Sequence, residues 1–249
     1  TLNDNLYIAN NKLKLFDFMS KNEIPVSKYT VIKSFDDFDR AILEVGYPEK
    51  PVCIKLTESS GARGVRIIDS TKSRFDIFAN EKPDSFFISY DDMKKTLLEA
   101  DVFPEIMVME YLSGDEYDVD LIADNGKVLY MAGRRNPVMV MSITQESILE
   151  RNDEAYKVAK EVVEKLKLDG NIGLDFKFAE DGSCRLLEIN PRIDATVSIF
   201  AAGGLNLPYL QIKHLLGETL PEINVKYGTR LKRRYMETFV DRSGSLLDW

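Results

Sequence analysis

One short segment, residues 173–192, constrains the fold of this chain more than any other. Two stretches of alternating apolar and polar residues flank Asp181-Gly182, and an Asp-Gly pair in that setting favours a two-residue hairpin turn. Because side chains on a strand alternate between its two faces, the apolar residues of both stretches share one face. The segment therefore predicts an antiparallel hairpin with one buried face, whose apolar pairs are Leu174 with Ile189 and Phe176 with Leu187.

The opposite face of this predicted hairpin carries acids. The same register places Asp175 opposite Glu188, and Asn190 lies two residues further along the second strand. Facing carboxylates repel each other, so a compensating charge is needed. A divalent cation such as Mg²⁺ is one solution, since Asp, Glu and Asn all offer hard oxygen ligands. The alternatives are a solvated hairpin whose carboxylates lean apart, or a salt bridge to Lys177 or Arg192.

A second informative segment is a glycine-rich loop after a buried-looking strand. Lys55 lies near the end of the predicted strand 52–56, and residues 58–64 are small or charged and include two glycines. Backbone N–H groups in such a loop can approach phosphate oxygens, with Lys55 and Arg63 adding positive charge. The spacing is not that of a P-loop, and the chain returns to a strand instead of opening a helix, unlike a Rossmann fingerprint. An ordinary turn between strands is the alternative interpretation.

Composition excludes several classes of protein. The 249 residues carry 33 basic and 41 acidic side chains, a net charge of −8, which argues against a nucleic-acid partner. Cys53 and Cys184 are far apart and His214 is the single histidine, so a zinc cage and a Ser-His-Asp triad are both disfavoured. No apolar run approaches the roughly 20 residues that span a bilayer, and no secretory leader is visible. We expect a cytoplasmic protein without a membrane partner.

The predicted strands and helices are grouped in runs along the sequence and do not alternate strictly. This order favours an α+β fold with mixed or antiparallel sheets. Asp124-Asn125-Gly126, between two alternating stretches, is a strong hairpin signal. A seam between subdomains is expected at residues 112–114. The predicted helices cover residues 11–23, 34–45, 91–100, 154–166 and 207–216. The predicted strands cover residues 29–32, 52–56, 65–68, 105–112, 117–123, 127–134, 172–178, 185–190 and 230–240.

Four motifs follow each other along the chain. They are Lys12 on a first helix, Lys55 with the loop up to Val65, residues 109–114 followed by Glu116, and Asp175 followed by residues 188–192. In this order they resemble the ATP-grasp superfamily, and they are most similar to its carbamoyl-phosphate-synthetase-like and biotin-carboxylase-like ligases. The resemblance covers almost the entire chain. It implies an α+β ATP-grasp fold whose two subdomains, residues 1–112 and 113–249, grip ATP between their sheets.

The resemblance also implies which residues contact ATP and metal. The glycine-rich loop matches the flexible flap over the phosphates, residues 110–112 match the hinge that reads adenine, and Glu116 matches the acid that holds the ribose. The implied ligands of Mg²⁺, or of Mn²⁺ in its place, are Asp175, Glu188 and Asn190. The implied nucleotide-binding residues are Lys12, Lys55, Ser60, Gly61, Ala62, Arg63, Gly64, Glu110, Tyr111, Leu112 and Glu116.

Arginines complete the predicted catalytic set. Arg192 matches the arginine near the transferred phosphate and the substrate, and Asn190 lies beside it. Arg134 and Arg135, at the end of a predicted strand, are candidates for binding the triphosphate or the substrate carboxylate, with a solvated strand end as the alternative. The catalytic prediction comprises Arg192, Asn190 and Arg135. A basic cluster lies further along the chain and comprises Arg230, Lys232, Arg233 and Arg234. Alternation lets only one or two of its side chains reach the cleft.

The function implied by the resemblance is that of a ligase. ATP would activate a small carboxylate as an acyl phosphate, which an amine or a related nucleophile then attacks. Biotin carboxylation is disfavoured, because Thr196 stands where that enzyme has its catalytic glutamate. The sequence has no counterpart of the N-terminal α/β domain that family members carry before the helix of Lys12. The alternative is an ATP-binding regulatory or scaffold module that kept the fold without the ligation, and either function allows a homodimer.

Overall fold

Two antiparallel sheets frame the molecule in the computed structural model, which describes residues 2–57, 63–140 and 142–247, the side chains of residues 2 and 3 excepted. The strands are β1 (Tyr29–Ile32), β2 (Val52–Leu56), β3 (Val65–Ile68), β4 (Ile106–Glu110), β5 (Glu116–Asp124), β6 (Lys127–Val140), β7 (Ile143–Leu149), β8 (Gly170–Phe178), β9 (Cys184–Asn190) and β10 (Arg230–Lys232). Sheet 1 has the order β1-β4-β2-β3, and sheet 2 has the order β10-β7-β6-β5-β8-β9. The predicted α+β class with antiparallel sheets is confirmed.

Helices cover both sheets. They are α1 (Leu2–Asn10), α2 (Lys12–Lys21), α3 (Phe38–Val45), α4 (Arg74–Asn80), α5 (Tyr90–Leu98), α6 (Asp153–Leu166), α7 (Ser198–Ala202) and α8 (Leu207–Leu215), and a single 3₁₀ turn covers Phe35–Asp37. One core packs α3 and α5 against sheet 1, and another packs α7 and α8 against sheet 2. The largest core joins α2 and α6 to residues of both sheets, so the two sheets meet. No helix of the described residues is long and apolar enough to cross a bilayer.

Helix α2 is fixed at its start by a side-chain cap. The Asn11 side chain accepts a hydrogen bond from the Lys14 backbone N–H at 3.0 Å, which satisfies one of the free donors at the helix N-terminus. Leu15, Phe16 and Met19 are buried on one side of the helix. The cap and the buried side together place Lys12 in the first turn of α2, beside β9.

The hairpin between β5 and β6 forms as predicted. Asp124 faces Lys127, and Asn125 and Gly126 between them have φ values of 47° and 90°. Positive φ at both central residues is the requirement of the tight hairpin turn that an Asn-Gly pair favours. At Gly126 an added Cβ would lie 3.1 Å from the Glu164 backbone oxygen, so glycine also lets α6 pack closely on the turn.

The hairpin between β8 and β9 confirms the predicted pairing of the acids, but its turn differs from the prediction. Asp175 faces Glu188 and Leu174 faces Ile189, as predicted, but Phe176 faces Leu186 instead of Leu187. The loop is longer than two residues, because the Ala179 N–H donates to the Ser183 carbonyl at 2.9 Å. A bulge between Asp175 and Phe176 absorbs the extra residue, so the register recovers before it reaches the acids. The predicted strand 230–240 is also wrong, since β10 ends at Lys232. Beyond the pair of Lys232 with Glu146, β7 has only residues 143–145 left, so pairing with β7 cannot extend to residue 240.

Candidate functional site

A cleft of about 650 Å³ lies between the two sheets. Its lining comes from sheet 1, from sheet 2, from the first turn of α2 and from the loop that follows β9. Ten of the predicted site residues line it: Lys12, Lys55, Glu110, Tyr111, Leu112, Glu116, Asp175, Glu188, Asn190 and Arg192. Arg63 and Gly64 do not belong to this lining, and Ser60, Gly61 and Ala62 lie outside the described residues.

A single row of charged residues crosses the cleft face of sheet 2. Arg134 on β6 faces Asp118 on β5, Asp118 faces Asp175 on β8, and Asp175 faces Glu188 on β9. Directly opposed residues on neighbouring strands have their Cβ atoms roughly 5 Å apart, so each charge in the row acts strongly on the next. The row therefore holds three adjacent carboxylates with a cation at one end.

Lys12 supplies a cation at the other end of the row. Its Nζ lies 2.8 Å from Oε2 of Glu188. Burial acts to raise the pKa of Glu188, but the attraction and the hydrogen bond of Lys12 outweigh it, so the pKa of Glu188 lies below its ordinary value. Glu188 is therefore the ionised end of the row. This ion pair differs from the predicted alternative, which named Lys177 or Arg192 as the partner.

The middle of the row favours protonation. Burial raises the pKa of Asp175 well above its ordinary value, and the like charges of Asp118 and Glu188 raise it further. Burial also raises the pKa of Asp118 to about 6 in spite of Arg134. The same cause raises the pKa of Asp120, two residues along β5. Buried carboxylates thus outnumber the cations that face them, and a divalent cation is the kind of ligand that would restore the balance.

Asn190 bridges the two carboxylates at the end of the hairpin. Its Nδ2 donates to Oδ2 of Asp175 at 2.9 Å and to Oε1 of Glu188 at 3.4 Å. A cation held by all three residues needs the amide oxygen instead, which a half-turn of the terminal amide provides. Among the described residues no group of three or more His, Cys, Asp or Glu side chains is placed so that it could hold a metal ion by itself.

The raised pKa values give a pH-dependent contribution to stability. A carboxyl group with a raised pKa in the folded state binds a proton that the unfolded chain has released, so its contribution is lost as pH rises through the raised pKa. Asp120→Asn removes one such group. We expect the free energy of unfolding of this variant, relative to wild type, to rise between pH 5 and pH 8, by at most about 1.4 kcal/mol per pH unit. Urea unfolding of both proteins in the presence of a chelator measures this difference, and a pH-independent difference would contradict it.

Arg134 and Arg135 are adjacent in sequence, but their side chains lie on opposite faces of β6. Arg134 is 2% exposed and lines the cleft, with Nη2 at 2.5 Å from Asp118 and 2.8 Å from Asp194. Arg135 points to the other face of β6, where it pairs with Asp115 and Glu150 at 3.6 Å and 3.2 Å. The catalytic candidate Arg135 is thus not part of the cleft lining, and its neighbour is. Strand alternation requires this separation but does not say which residue faces inward.

Asp118 and Asp194 are site residues that the sequence reasoning missed. Asp118 has no local signal, because its neighbours Arg134 and Asp175 belong to other strands. Asp194 lies two residues after Arg192, and its Oδ1 accepts from the Thr196 N–H at 2.7 Å as well as from Arg134. Arg134 therefore connects the loop that carries Arg192 to Asp118 on β5.

The sheet 1 side of the cleft has a different character. The backbone N–H of Glu110 donates to the Lys28 carbonyl, and that of Tyr111 to the Pro51 carbonyl. The N–H of Leu112 meets no acceptor within the described part of the chain, although Leu112 is buried and lines the cleft. A buried backbone donor without a partner suits a bound heterocycle that supplies the acceptor. Lys55 and Glu116 line the same cleft.

Comparison with known proteins finds a matching family model and a related sequence. A family model described as "ATP-grasp in the biosynthetic pathway with Ter operon" matches residues 102–239. The carbamoyl phosphate synthase large chain of Clostridium acetobutylicum is 22% identical over 241 residues, which cover 92% of this chain and 20% of that protein.

Solved structures share the fold. N5-carboxyaminoimidazole synthase from Aspergillus clavatus, in complex with ADP and its aminoimidazole ribonucleotide, superimposes with a TM-score of 0.65 at 19% identity, over 88% of this chain and 54% of that chain. The biotin carboxylase domain of 2-oxoglutarate carboxylase from Hydrogenobacter thermophilus, in complex with MgADP, gives a TM-score of 0.65 at 17% identity, over 90% and 49%. The chain thus spans about half of these solved chains and a fifth of the curated relative. Because the family model matches more than half of its residues, the chain belongs to the ATP-grasp family.

Proposed function

We propose that this chain binds Mg·ATP in the cleft and uses it to activate a small carboxylate as an acyl phosphate for attack by an amine or a related nucleophile. The observation that carries the proposal is the row of Asp118, Asp175 and Glu188, which lines the same cleft as Lys55 and Leu112. The backbone N–H of Leu112 has no acceptor among the described residues. In this proposal residues 1–112 and 113–249 act as the two jaws. A relative that binds MgADP supports the choice of nucleotide and metal.

The carboxylates fit a divalent cation by charge and by donor type. Asp175, Glu188 and Asn190 would hold Mg²⁺, or Mn²⁺ in its place, and this ion would neutralise charge on the phosphates during transfer. Glu188 stays ionised because Lys12 lies beside it. Asn190 is held by the two carboxylates and by Nη2 of Arg192, which donates to its Oδ1 at 3.3 Å. These contacts keep the three side chains together, and a half-turn of the Asn190 amide would bring its oxygen beside those of the two carboxylates.

The remaining proposed residues bind, orient and exclude water. Leu112 would donate its backbone N–H to the adenine ring, with Glu110 and Tyr111 beside it, and Glu116 would accept from the ribose hydroxyls. Lys12, Lys55 and Arg192 would place positive charge near the phosphates. Arg63 and Gly64, with residues 60–62, would close over them and keep water from the acyl phosphate, which water hydrolyses.

The two chemical steps balance without a further reactant. A carboxylate oxygen attacks the γ-phosphorus of ATP, the bond to the β-phosphate oxygen breaks, and ADP leaves. The amine nitrogen then attacks the acyl carbon, phosphate leaves, and the amine gives up a proton. Either step requires developing charge to be neutralised in a cleft with little water, which electrostatic groups fixed in advance do best.

Binding of nucleotide is the first test. We expect calorimetry to show one Mg·ATP per chain, and we expect Lys55→Ala to weaken binding at least tenfold, because the variant loses a charge that faces the phosphates. Lys33→Ala is the matched control, since Lys33 is an exposed lysine that directly follows β1 of the same sheet and pairs with Glu105. Equal weakening by both variants would contradict the proposed role of Lys55. No binding of Mg·ATP at millimolar concentration to folded protein would contradict the proposed function as a whole.

Ligation needs a separate measurement. ADP release that depends on an added carboxylate and increases with an added amine is the expected result. Nucleotide binding without any carboxylate-dependent ADP release is what the alternative, a regulatory or scaffold module, predicts. The chain spans only part of its relatives, so the longest available protein that contains it is the proper sample for this assay.

A further inference from the structure

The cleft has a second end, over the other edge of sheet 2. In the sheet order β10-β7-β6-β5-β8-β9, the acids Asp175 and Glu188 lie on β8 and β9, whereas Thr144 lies on β7 and Arg233 follows β10. Thr144 and Arg233 nevertheless line the same cleft. The Thr144 hydroxyl accepts from Nη1 of Arg134 at 3.2 Å, so this end begins where the charged row stops. We call it the β7 end.

Arg233 is the member of the basic cluster that reaches the cleft. Its backbone N–H donates to the Gln145 carbonyl at 2.8 Å, and its Nε donates to the Thr144 carbonyl at 2.7 Å. Its Nη2 lies 3.4 Å from the Thr196 hydroxyl. These contacts fix the guanidinium group, and several of its five N–H donors meet no partner among the residues that the structure describes.

Within the described part of the chain, the charge of Arg233 has no carboxylate partner. No carboxylate of residues 2–57, 63–140 and 142–247 lies within ion-pair distance of it, whereas neighbouring Lys232 pairs with Glu146 at 3.0 Å. Arg134, the other arginine at this end, is already paired with Asp118 and Asp194. A fixed guanidinium with free donors binds a carboxylate well, because its planar fork matches the two oxygens.

Apolar side chains stand beside this cation. Met139 and Ile143, from the hairpin of β6 and β7, line the cleft, and Ile143 is 54% exposed. Val138 and Val140 of the same hairpin are also exposed but do not belong to the lining. An exposed apolar side chain within a cleft gains free energy when a ligand covers it. The β7 end thus offers one cation without a carboxylate partner among the described residues and two apolar side chains, and its uncharged polar side chains are those of Ser142, Thr144 and Thr196.

We propose that the β7 end selects the acid that is activated, and that this acid is an aliphatic or aromatic carboxylic acid with no second charge. Arg233 and the Thr196 hydroxyl bind its carboxylate, and Met139 and Ile143 cover its apolar part. A second carboxylate on the acid would meet Met139 and Ile143 instead of a cation and would be desolvated without compensation. This inference rests on the proposed function, because it names the class of acid that the ligase takes.

The proposal can be tested by calorimetric titration of the 249-residue chain with three acids that differ in apolar size and in charge, each with and without saturating Mg·ADP. The probes are 4-methylpentanoate, acetate and succinate. We expect 4-methylpentanoate to bind at least tenfold more tightly than acetate, because each buried methylene is worth about 0.8 kcal/mol in a fully apolar site. We expect succinate to bind no more tightly than acetate. Equal affinities for all three, tighter binding of succinate, or no binding of 4-methylpentanoate at 20 mM would each overturn the proposal.

Two pairs of variants assign the discrimination to residues. Arg233→Ala should weaken the binding of 4-methylpentanoate at least tenfold. Arg234 is an exposed arginine that does not line the cleft, so Arg234→Ala should leave this affinity unchanged. Ile143→Ser should lower the preference for 4-methylpentanoate over acetate at least threefold, whereas Val140→Ser should not. Equal effects within either pair would refute the assignment.

The same titrations separate this inference from the proposed function. Mg·ADP that binds while the three acids do not differ defeats the inference alone. A preference for 4-methylpentanoate in a chain that fails to bind Mg·ADP defeats the proposed function alone. Circular dichroism of the four variants checks folding, and all four substitutions lie at exposed side chains.

Discussion

Replacing Glu188 with alanine is expected to remove most of the stabilisation that Mg·ATP gives this protein and to lower phosphoryl transfer a hundredfold or more. Glu188 supplies a hard oxygen next to Asp175 and pairs with Lys12 at 2.8 Å, so its loss removes a proposed metal ligand and leaves Lys12 misplaced. Charge stabilisation by a metal is worth several kcal/mol, and about 1.4 kcal/mol is a factor of ten in rate. The measurements are the thermal midpoint with and without Mg·ATP and the rate of ADP formation.

The metal-free protein should respond very differently to Glu188→Ala. Part of the raised pKa of Asp175 comes from the like charge of Glu188, and that repulsion is relieved in the variant. We therefore expect a metal-free thermal midpoint close to that of the wild type. Glu180→Ala, at an exposed glutamate in the loop of the same hairpin, is the matched control and should alter neither value. A variant that is strongly destabilised without metal, yet keeps the full shift on addition of Mg·ATP, would show that Glu188 serves the Lys12 ion pair alone.

The facing acids could be predicted because the required information is local. Alternation fixes which side chains share a face, and an Asp-Gly pair marks the turn, so Asp175 and Glu188 oppose each other in the structure as in the prediction. The loop is one residue longer than predicted. In it, Asp181 accepts from the Ser183 N–H and Gly182 adopts a φ of +80°. A bulge cancelled the error before it reached the acids. The agreement at the acids therefore depends on two irregularities that alternation does not predict.

The rest of the charged row could not be predicted, because it depends on pairings between distant segments. Asp118 meets Asp175 across 57 positions of sequence only because β5 pairs with β8 in one particular register. Arg134 and Arg135 are adjacent in sequence, and no local pattern says that Arg134 is the one that faces Asp194. The same holds for Arg233, which the sequence could place only within a cluster of four basic residues.

Replacing Arg134 with leucine is expected to lower the free energy of unfolding by about 3–5 kcal/mol at pH 7.5, the usual cost of breaking a buried ion pair from one side. The change leaves the buried Asp118 without its cation. It also removes the closer of the two arginine partners of Asp194 and one of the two donors to Oδ1 of Asn136. The pKa of Asp118, already raised to about 6 by burial, should rise further once the attraction of Arg134 is gone. Urea unfolding at several pH values without metal measures both effects.

The sign of the pH dependence follows from that rise. A further raised pKa means that the folded variant keeps protons over a wider range of pH than the wild type, so its deficit should shrink as pH falls from 7.5 to 5. Arg135→Leu is the matched control, because Arg135 is the adjacent arginine of the same strand but lies half-exposed beside Asp115 and Glu150, where an ion pair is worth at most about 1 kcal/mol. An equal loss of stability in both variants, or a deficit for Arg134→Leu that does not change with pH, would mean that the row is not held by Arg134. The Arg192 loop would then need another anchor than Asp194.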